Sequence, residues 1–118
     1  MSSKYFKKEE YECRCGCGKD EIDEEFLSML DNAREAAGIP FMVNSGVRCR
    51  AHNKAVGGKP DSAHIYGKAA DISTPDSRTR FWVVYGLIQA QFTRIGIGKN
   101  FVHADTDHNK DKEVVWLY

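Results

Sequence analysis

The stretch DSAHIYGKAADIS, residues 61–73, sets a histidine and an aspartate seven positions apart, His64 and Asp71, with Gly67 between them. Its last five residues alternate as a half-buried strand does. Ala69, Asp71 and Ser73 fall on one face, and Ala70 and Ile72 on the other. Ile72 therefore belongs to a core, while Asp71 faces the loop side. Gly67 lets the chain turn sharply before the strand, so that the His64 imidazole comes back over the sheet. Farther on, FVHAD at 101–105 alternates in the same way, with Phe101, His103 and Asp105 on one face and Val102 and Ala104 opposite. Two neighbouring strands of this kind present Asp71 and His103 together, with His64 above them.

Outward from this pair the chain reads as an α+β fold, a small antiparallel sheet with two main helices. Ile22, Phe26, Met29, Leu30, Ala33 and Ala37 recur at helical spacing, acidic residues crowd the first turn, and Gly38 with Pro40 ends the run. FMVNS from Phe41 predicts a short buried strand. The glycine-rich GVRCRAHNKAVGGKPDSAHIYGK that follows predicts loop with one helical turn near 52–56. A loop of that length inside a compact domain points to function. The segment 77–92 predicts a second helix with Phe81, Val84, Tyr85, Ile88 and Phe92 facing inward, and RIGIG, FVHAD and EVVWLY complete the sheet.

With 118 residues the chain is expected to form one domain, 1–118, around one core. Seventeen basic and seventeen acidic residues cancel, so no overall field favours nucleic acid or an anionic membrane as partner. The balance is uneven locally: between Gly46 and Ala70, Arg48, Arg50, Lys54, Lys59 and Lys68 face Asp61 alone. Beside a catalytic cleft such a segment attracts a carboxylate-bearing substrate. The N-terminal MSSKYFKKEEYE lacks the apolar run of a signal peptide, and no segment approaches the roughly 20 apolar residues that span a membrane. A product made in the cytoplasm, without membrane insertion, is the expectation.

Two histidines and one carboxylate form the ligand set of catalytic zinc, because three protein ligands leave a fourth tetrahedral position for a water whose pKa falls to about 7. His64, Asp71 and His103 are the expected ligands, zinc the expected cofactor, and hydrolysis the chemistry.

NSGVRCRAHNKAVGG, DSAHIYGKAADI and GIGKNFVHADT together resemble the D-alanyl-D-alanine carboxypeptidase-like zinc peptidases, grouped with lysostaphin-type peptidases and the hedgehog signalling domain. The family elements SGxR, SxHxxGxAxD and HxD stand in order between about Tyr5 and Asp107. The resemblance implies the same three zinc ligands. It also implies that Arg48 contacts a substrate carboxylate or carbonyl, and that Ser62 holds the loop or the substrate. The implied substrate is a bacterial cell-wall (peptidoglycan) peptide, cut as a carboxypeptidase or an endopeptidase, by an enzyme resembling a phage lysis enzyme released by a holin; separately, a monomer is expected. The alternative is a non-catalytic zinc-binding module of the same fold.

Many such peptidases carry an acidic residue three positions before the last histidine ligand, where this chain has Asn100, which cannot take a proton from water. Asp105, two residues after His103 on the same strand face, is the expected substitute as base, or else the group that orients His103. Asp107 and His108 are weaker candidates, placed in a turn. The run DTDHNKDKE does not make a calcium loop: its sixth position is Lys110 rather than glycine and its twelfth Trp116 rather than glutamate. A solvated hairpin turn is expected there.

Cys13, Cys15 and Cys17 lie too close together for the usual paired zinc-knuckle spacing, and a cytoplasmic chain keeps its thiols reduced. Cys49 directly follows Arg48. These four are therefore assigned a structural role, bracing Arg48 through a disulfide or a small metal site, with free buried thiols as the alternative. His52 and Asn53 are expected to brace the glycine-rich loop. Trp82, Tyr85 and Phe92 are assigned to helix core, and Tyr66 to the cleft wall or to packing.

Overall fold

The computed structural model describes residues 3–118; Met1 and Ser2, with which the expected 1–118 unit begins, lie outside the described residues. Four helices, α1 (Lys8–Tyr11), α2 (Glu24–Ala37), α3 (Arg50–Ala55) and α4 (Ser77–Gln89), accompany five strands: β1 (Val43–Ser45), β2 (Ala69–Ser73), β3 (Arg94–Ile97), β4 (Phe101–Asp105) and β5 (Val114–Leu117). A 3₁₀ turn spans Ala63–Tyr66. The boundaries follow local chemistry. The Asp23 carboxylate accepts the Phe26 N–H at 2.9 Å to open α2, and Gly38 closes it in the left-handed conformation at φ 69°. Asp76 opens α4 in the same manner through the Thr79 N–H. Gln91, at φ 70°, turns the chain away before Phe92.

The expected α+β fold is present, and its sheet is mixed, in the order β1-β2-β4-β3-β5. Four strands pair antiparallel as expected, but β5 lies parallel to β3 at the edge. The chain leaves β4, crosses β3 and returns in the direction of β3, so residues 106–113 are a crossover connection and not the hairpin expected for them. One face of the sheet carries Ala70, Ile72, Ile95, Val102 and Ala104 into a core shared with Phe26, Leu27 and Leu30 of α2 and Val83 and Leu87 of α4.

Helix α4 presents a different stripe from the one expected. Val83, Gly86 and Leu87 are buried, whereas Phe81, Tyr85 and Ile88 are 60%, 41% and 48% exposed and Trp82 is 38% exposed. Close approach decides this. A Cβ on Gly86 would lie 2.3 Å from the Ala33 carbonyl oxygen, so the two helices touch through the glycine rather than through the larger aromatic stripe. Phe92, beyond the helix, is buried as expected and meets Phe26 edge-on at 5.9 Å.

Candidate metal centre and cleft

The opposite face of the sheet carries a row that crosses all five strands. Ser45 pairs with Asp71, Asp71 with His103, His103 with Gly96, and Gly96 with Trp116. Strand alternation thus delivers Asp71 and His103 side by side. His64 arrives from the 3₁₀ turn, which Ser62 caps by accepting the His64 N–H at 3.3 Å and Gly67 ends in the left-handed conformation. The glycine is required twice over, since a Cβ there would lie 2.2 Å from the Glu21 carbonyl oxygen.

Asp71 Oδ1 stands 2.9 Å from His103 Nδ1 and 3.3 Å from His64 Nε2, and the three atoms lie within 4.8 Å of one another. The outward nitrogen of each ring is already engaged. His64 Nδ1 is 2.7 Å from the Gly46 carbonyl oxygen, to which it can only donate, and His103 Nε2 is 2.7 Å from Asp105 Oδ2. With protons on those outward nitrogens, three lone-pair donors face each other across the centre. That arrangement calls for a cation or an added proton between them, and two imidazoles with a carboxylate suit a borderline-soft divalent ion. The residues therefore fit a bound metal.

Two arginines flank the set. Arg48 Nη2 reaches Asp71 Oδ2 at 3.4 Å, its Nε donates to Ser45 Oγ at 3.0 Å and its Nη1 to Asn53 Oδ1 at 3.2 Å. Arg94 Nε donates to Asp105 Oδ1 at 2.7 Å while its guanidinium lies 5.0 Å from the Trp116 ring centre. The result is a continuous chain Arg48–Asp71–His103–Asp105–Arg94. Burial raises the pKa of the Asp71 carboxyl, but its bonds to His103 and His64 outweigh this and hold it well below the usual carboxylate range. For Asp105 burial is likewise outweighed, by His103, the Asp107 N–H and Arg94, and its pKa is lowered. Burial lowers that of His103, yet Asp105 and Asp71 leave it raised.

A cleft of about 550 Å³ opens over this set, walled by the glycine-rich loop with Arg48, Lys59, Asp61 and Ser62, and by Arg94, Trp116 and Tyr118. Asp105 is 3% exposed and meets His103 through the ring nitrogen opposite the one that faces Asp71. Asn100 precedes β4 and is exposed, its carbonyl accepting the Thr74 N–H. Asp107 sits in the following turn, bonded to the Asn109 N–H and Lys110 Nζ, and His108 lies outside the cleft lining. Tyr66 is 54% exposed and also lies outside it, beneath the Arg50 guanidinium at 5.9 Å. Asn53 does brace the loop: it is buried, and its Nδ2 donates to the Lys59 carbonyl at 2.8 Å.

All four cysteines gather beside Arg48. Their sulfurs lie within 4.8 Å of one another and each thiol is free. Burial raises the Cys13 thiol, but the backbone N–H groups of Cys15 and Cys49 outweigh it and bring it to about 7.

Sequence reading missed Arg94, Trp116, Tyr118 and the Gly46 carbonyl. The first was within reach, because alternation puts Arg94 on the same face of β3 as Gly96. Trp116 and Tyr118 depended on knowing that β5 joins β3. Gly96 makes room for them: a Cβ there would lie 2.6 Å from Trp116 Nε1.

A mixed sheet backed by helices, with two histidines and an aspartate converging in a cleft, is an arrangement that suits a metal-dependent hydrolase. Within that class the chain belongs to the Peptidase M15 family, which it matches over residues 4–105. Membership makes it a peptidase, of a family typically dependent on a metal, with a peptide as substrate. No curated protein matches the chain.

Proposed function

We propose that His64, Asp71 and His103 hold a catalytic zinc ion and that the chain hydrolyses an amide bond in a bacterial cell-wall peptide, next to a D-amino acid. The observation that carries this reading is the inward convergence of His64 Nε2, Asp71 Oδ1 and His103 Nδ1 while the outward ring nitrogens are engaged by Gly46 and Asp105. Zinc, when bound, supplies Lewis acidity toward an amide and, with three protein ligands, an open fourth position. Everything else falls to the chain. Gly46 and Asp105 fix the tautomer and angle of the two rings, as outer partners of metal-binding histidines do. Arg48 secures Asp71 through Oδ2 and, with three of its five N–H donors committed, offers the others to a substrate carboxylate or carbonyl. Ser62 holds the turn that carries His64.

Asp105 is the orienter in this reading and not the base, because its oxygens are taken by His103, Arg94 and the Asp107 N–H behind the ring. The remaining acidic side chain of the cleft wall is Asp61, 72% exposed on the glycine-rich loop. It takes the proton from the attacking water and returns it to the leaving amine. Arg48, Lys59, Arg94 and Lys110 line the same cleft and suit a substrate with a free carboxylate. Among the described residues no helix is long and apolar enough to cross a membrane. The wall substrate proposed here would be reached from the cytoplasm by holin-mediated release.

Incubation with purified wall peptides, with products mapped by mass, tests the reading and separates carboxypeptidase from endopeptidase action. Turnover that is lost with a chelator and restored by zinc is expected. A zinc-loaded protein inactive on every wall peptide would instead favour the non-catalytic module, the reading to which Asn100 points.

A further inference from the structure

Cys13, Cys15, Cys17 and Cys49 are the only cysteines in the sequence, and Cys15 and Cys49 stand 34 positions apart, yet all four sulfurs converge within 4.8 Å. The convergence is built by backbone. The Cys13 N–H donates to the Lys19 carbonyl at 2.8 Å, closing a loop in which Gly16 and Gly18 take left-handed φ values of 86° and 85°. Nothing lies within 4 Å of a Cβ at either glycine, so conformation and not space requires them. Opposite this loop, Cys49 opens α3 with its sulfur accepting the His52 N–H at 3.3 Å, and the Cys49 N–H points to Cys13 Sγ at 3.4 Å. Amide donors aimed at sulfur stabilise thiolate, the form that binds metal.

The distances suit one ion. With zinc–sulfur bonds of about 2.3 Å, a tetrahedral site has sulfur–sulfur edges of roughly 3.8 Å. Cys13 and Cys15 are 3.5 Å apart, and Cys15 and Cys49 3.7 Å. From this geometry we infer that the four cysteines hold a second zinc ion, with a structural role. Four protein thiolates complete the tetrahedron and leave no position for substrate, which separates this site in kind from the His64–Asp71–His103 set.

Its place in the fold gives the ion a task. Residues 46–49 form a strap between the two clusters. Val47 N–H donates to the Tyr11 carbonyl at 2.8 Å, and Gly46 approaches Tyr11 so closely that a Cβ would lie 2.6 Å from that oxygen. The same strap supplies the Gly46 carbonyl to His64 Nδ1, the Arg48 N–H to the His64 carbonyl at 3.0 Å, and the Arg48 guanidinium to Asp71. Metal at the cysteines thus clamps the loop of residues 13–19 against the segment that orients His64.

The inference rests on the sulfur geometry and not on the peptidase reading, and cobalt separates the two. Native protein saturated with Co(II) should show sulfur-to-cobalt charge-transfer absorption, a band the sulfur-free His64–Asp71–His103 set cannot produce. Titrating the zinc-loaded protein with a mercurial should release one zinc per four thiols. His64→Ala should keep both signals, and Cys49→Ser should lose most of the cobalt band. Absence of the band at cobalt saturation, with four freely titrating thiols or with disulfides in the native chain, would overturn the site. Should Cys49→Ser fail to fold, the measurements on the native chain decide alone.

Discussion

The two clusters are assembled by opposite means. The His64–Asp71–His103 set depends chiefly on strand register: Asp71 and His103 are cross-strand partners in the middle of the sheet, and the core face beneath them holds Ile72, Val102 and Ala104 at 0% exposure. The cysteines depend on loop conformation, with two left-handed glycines and one helix N-cap bringing them together, and Cys15 and Cys17 remain exposed. A site drawn on buried strands is organised before any ion arrives, because shifting the register by one residue would turn every core side chain outward. A site drawn on a loop is organised by its ion, since little apolar burial holds the loop otherwise. The first should lose function when a ligand is removed yet keep its fold, and the second should lose local order.

The largest effect expected belongs to the sheet cluster. His64→Ala, Asp71→Ala or His103→Ala should abolish turnover and remove the zinc of that centre while the cysteine zinc stays, as metal analysis and a peptidase assay would show together. Asp61→Asn comes next, lowering the rate by about 100-fold, the lower range for general acid–base catalysis, with zinc content unchanged. Asp105→Asn should weaken zinc binding at the sheet centre by about 10- to 100-fold, and activity should return when zinc is raised. If that variant kept full zinc affinity and still lost its rate, Asp105 would be the base and the orienting role assigned to it would be wrong.

Smaller effects probe the loop. Gly16→Ala places a side chain at a φ of 86° and should cost about 1–2 kcal/mol, read by thermal unfolding, with the metal-restored peptidase rate unaltered. Loss of the sheet-centre zinc in that variant would show that the two regions are less separate than their construction implies.

The smallest expected effect is a pH trend in the metal-free protein. The pKa values of Asp71 and Asp105 are lowered, so their contribution is present above about pH 4 and is lost on acidification. That of His103 is raised, so its contribution is present below about 6.5 and is lost as the pH climbs through its folded value. Metal-free protein should therefore melt highest between these limits and a few degrees lower in mild alkali. Zinc-loaded protein should show the reverse slope on the alkaline side, because the ion competes with the proton on His103. A flat profile for the metal-free chain would remove the proton as a stand-in for the cation.

Much of the sheet cluster was legible in the sequence because a strand has a fixed period of two. Alternation in AADIS and FVHAD was enough to set Asp71 and His103 on one face, and the register made them partners. Alternation gives the face of a residue and not the direction of its atoms, so it left Asp105 open between base and orienter. Arg94, which donates to Oδ1 at 2.7 Å, supports the orienting role proposed above. The inward face of α4 was not legible: the helix is apolar on most sides, and the deciding contact is made by Gly86, which carries no hydrophobic signal. The direction of β5 was hidden for a different reason, since an eight-residue connection can form a hairpin or cross a neighbouring strand. The cysteine cluster was legible only as an association of Cys49 with the N-terminal three, because left-handed glycines have no period to read.

X-ray absorption at the zinc edge tests most directly the claim that this peptidase carries one nitrogen–oxygen centre and one sulfur centre. The native chain should show a mixed first shell, nitrogen and oxygen at about 2.0–2.1 Å and sulfur at about 2.3 Å. His64→Ala should show sulfur alone and no turnover of wall peptide. A native first shell of sulfur only, together with undiminished hydrolysis by His64→Ala, would contradict the account.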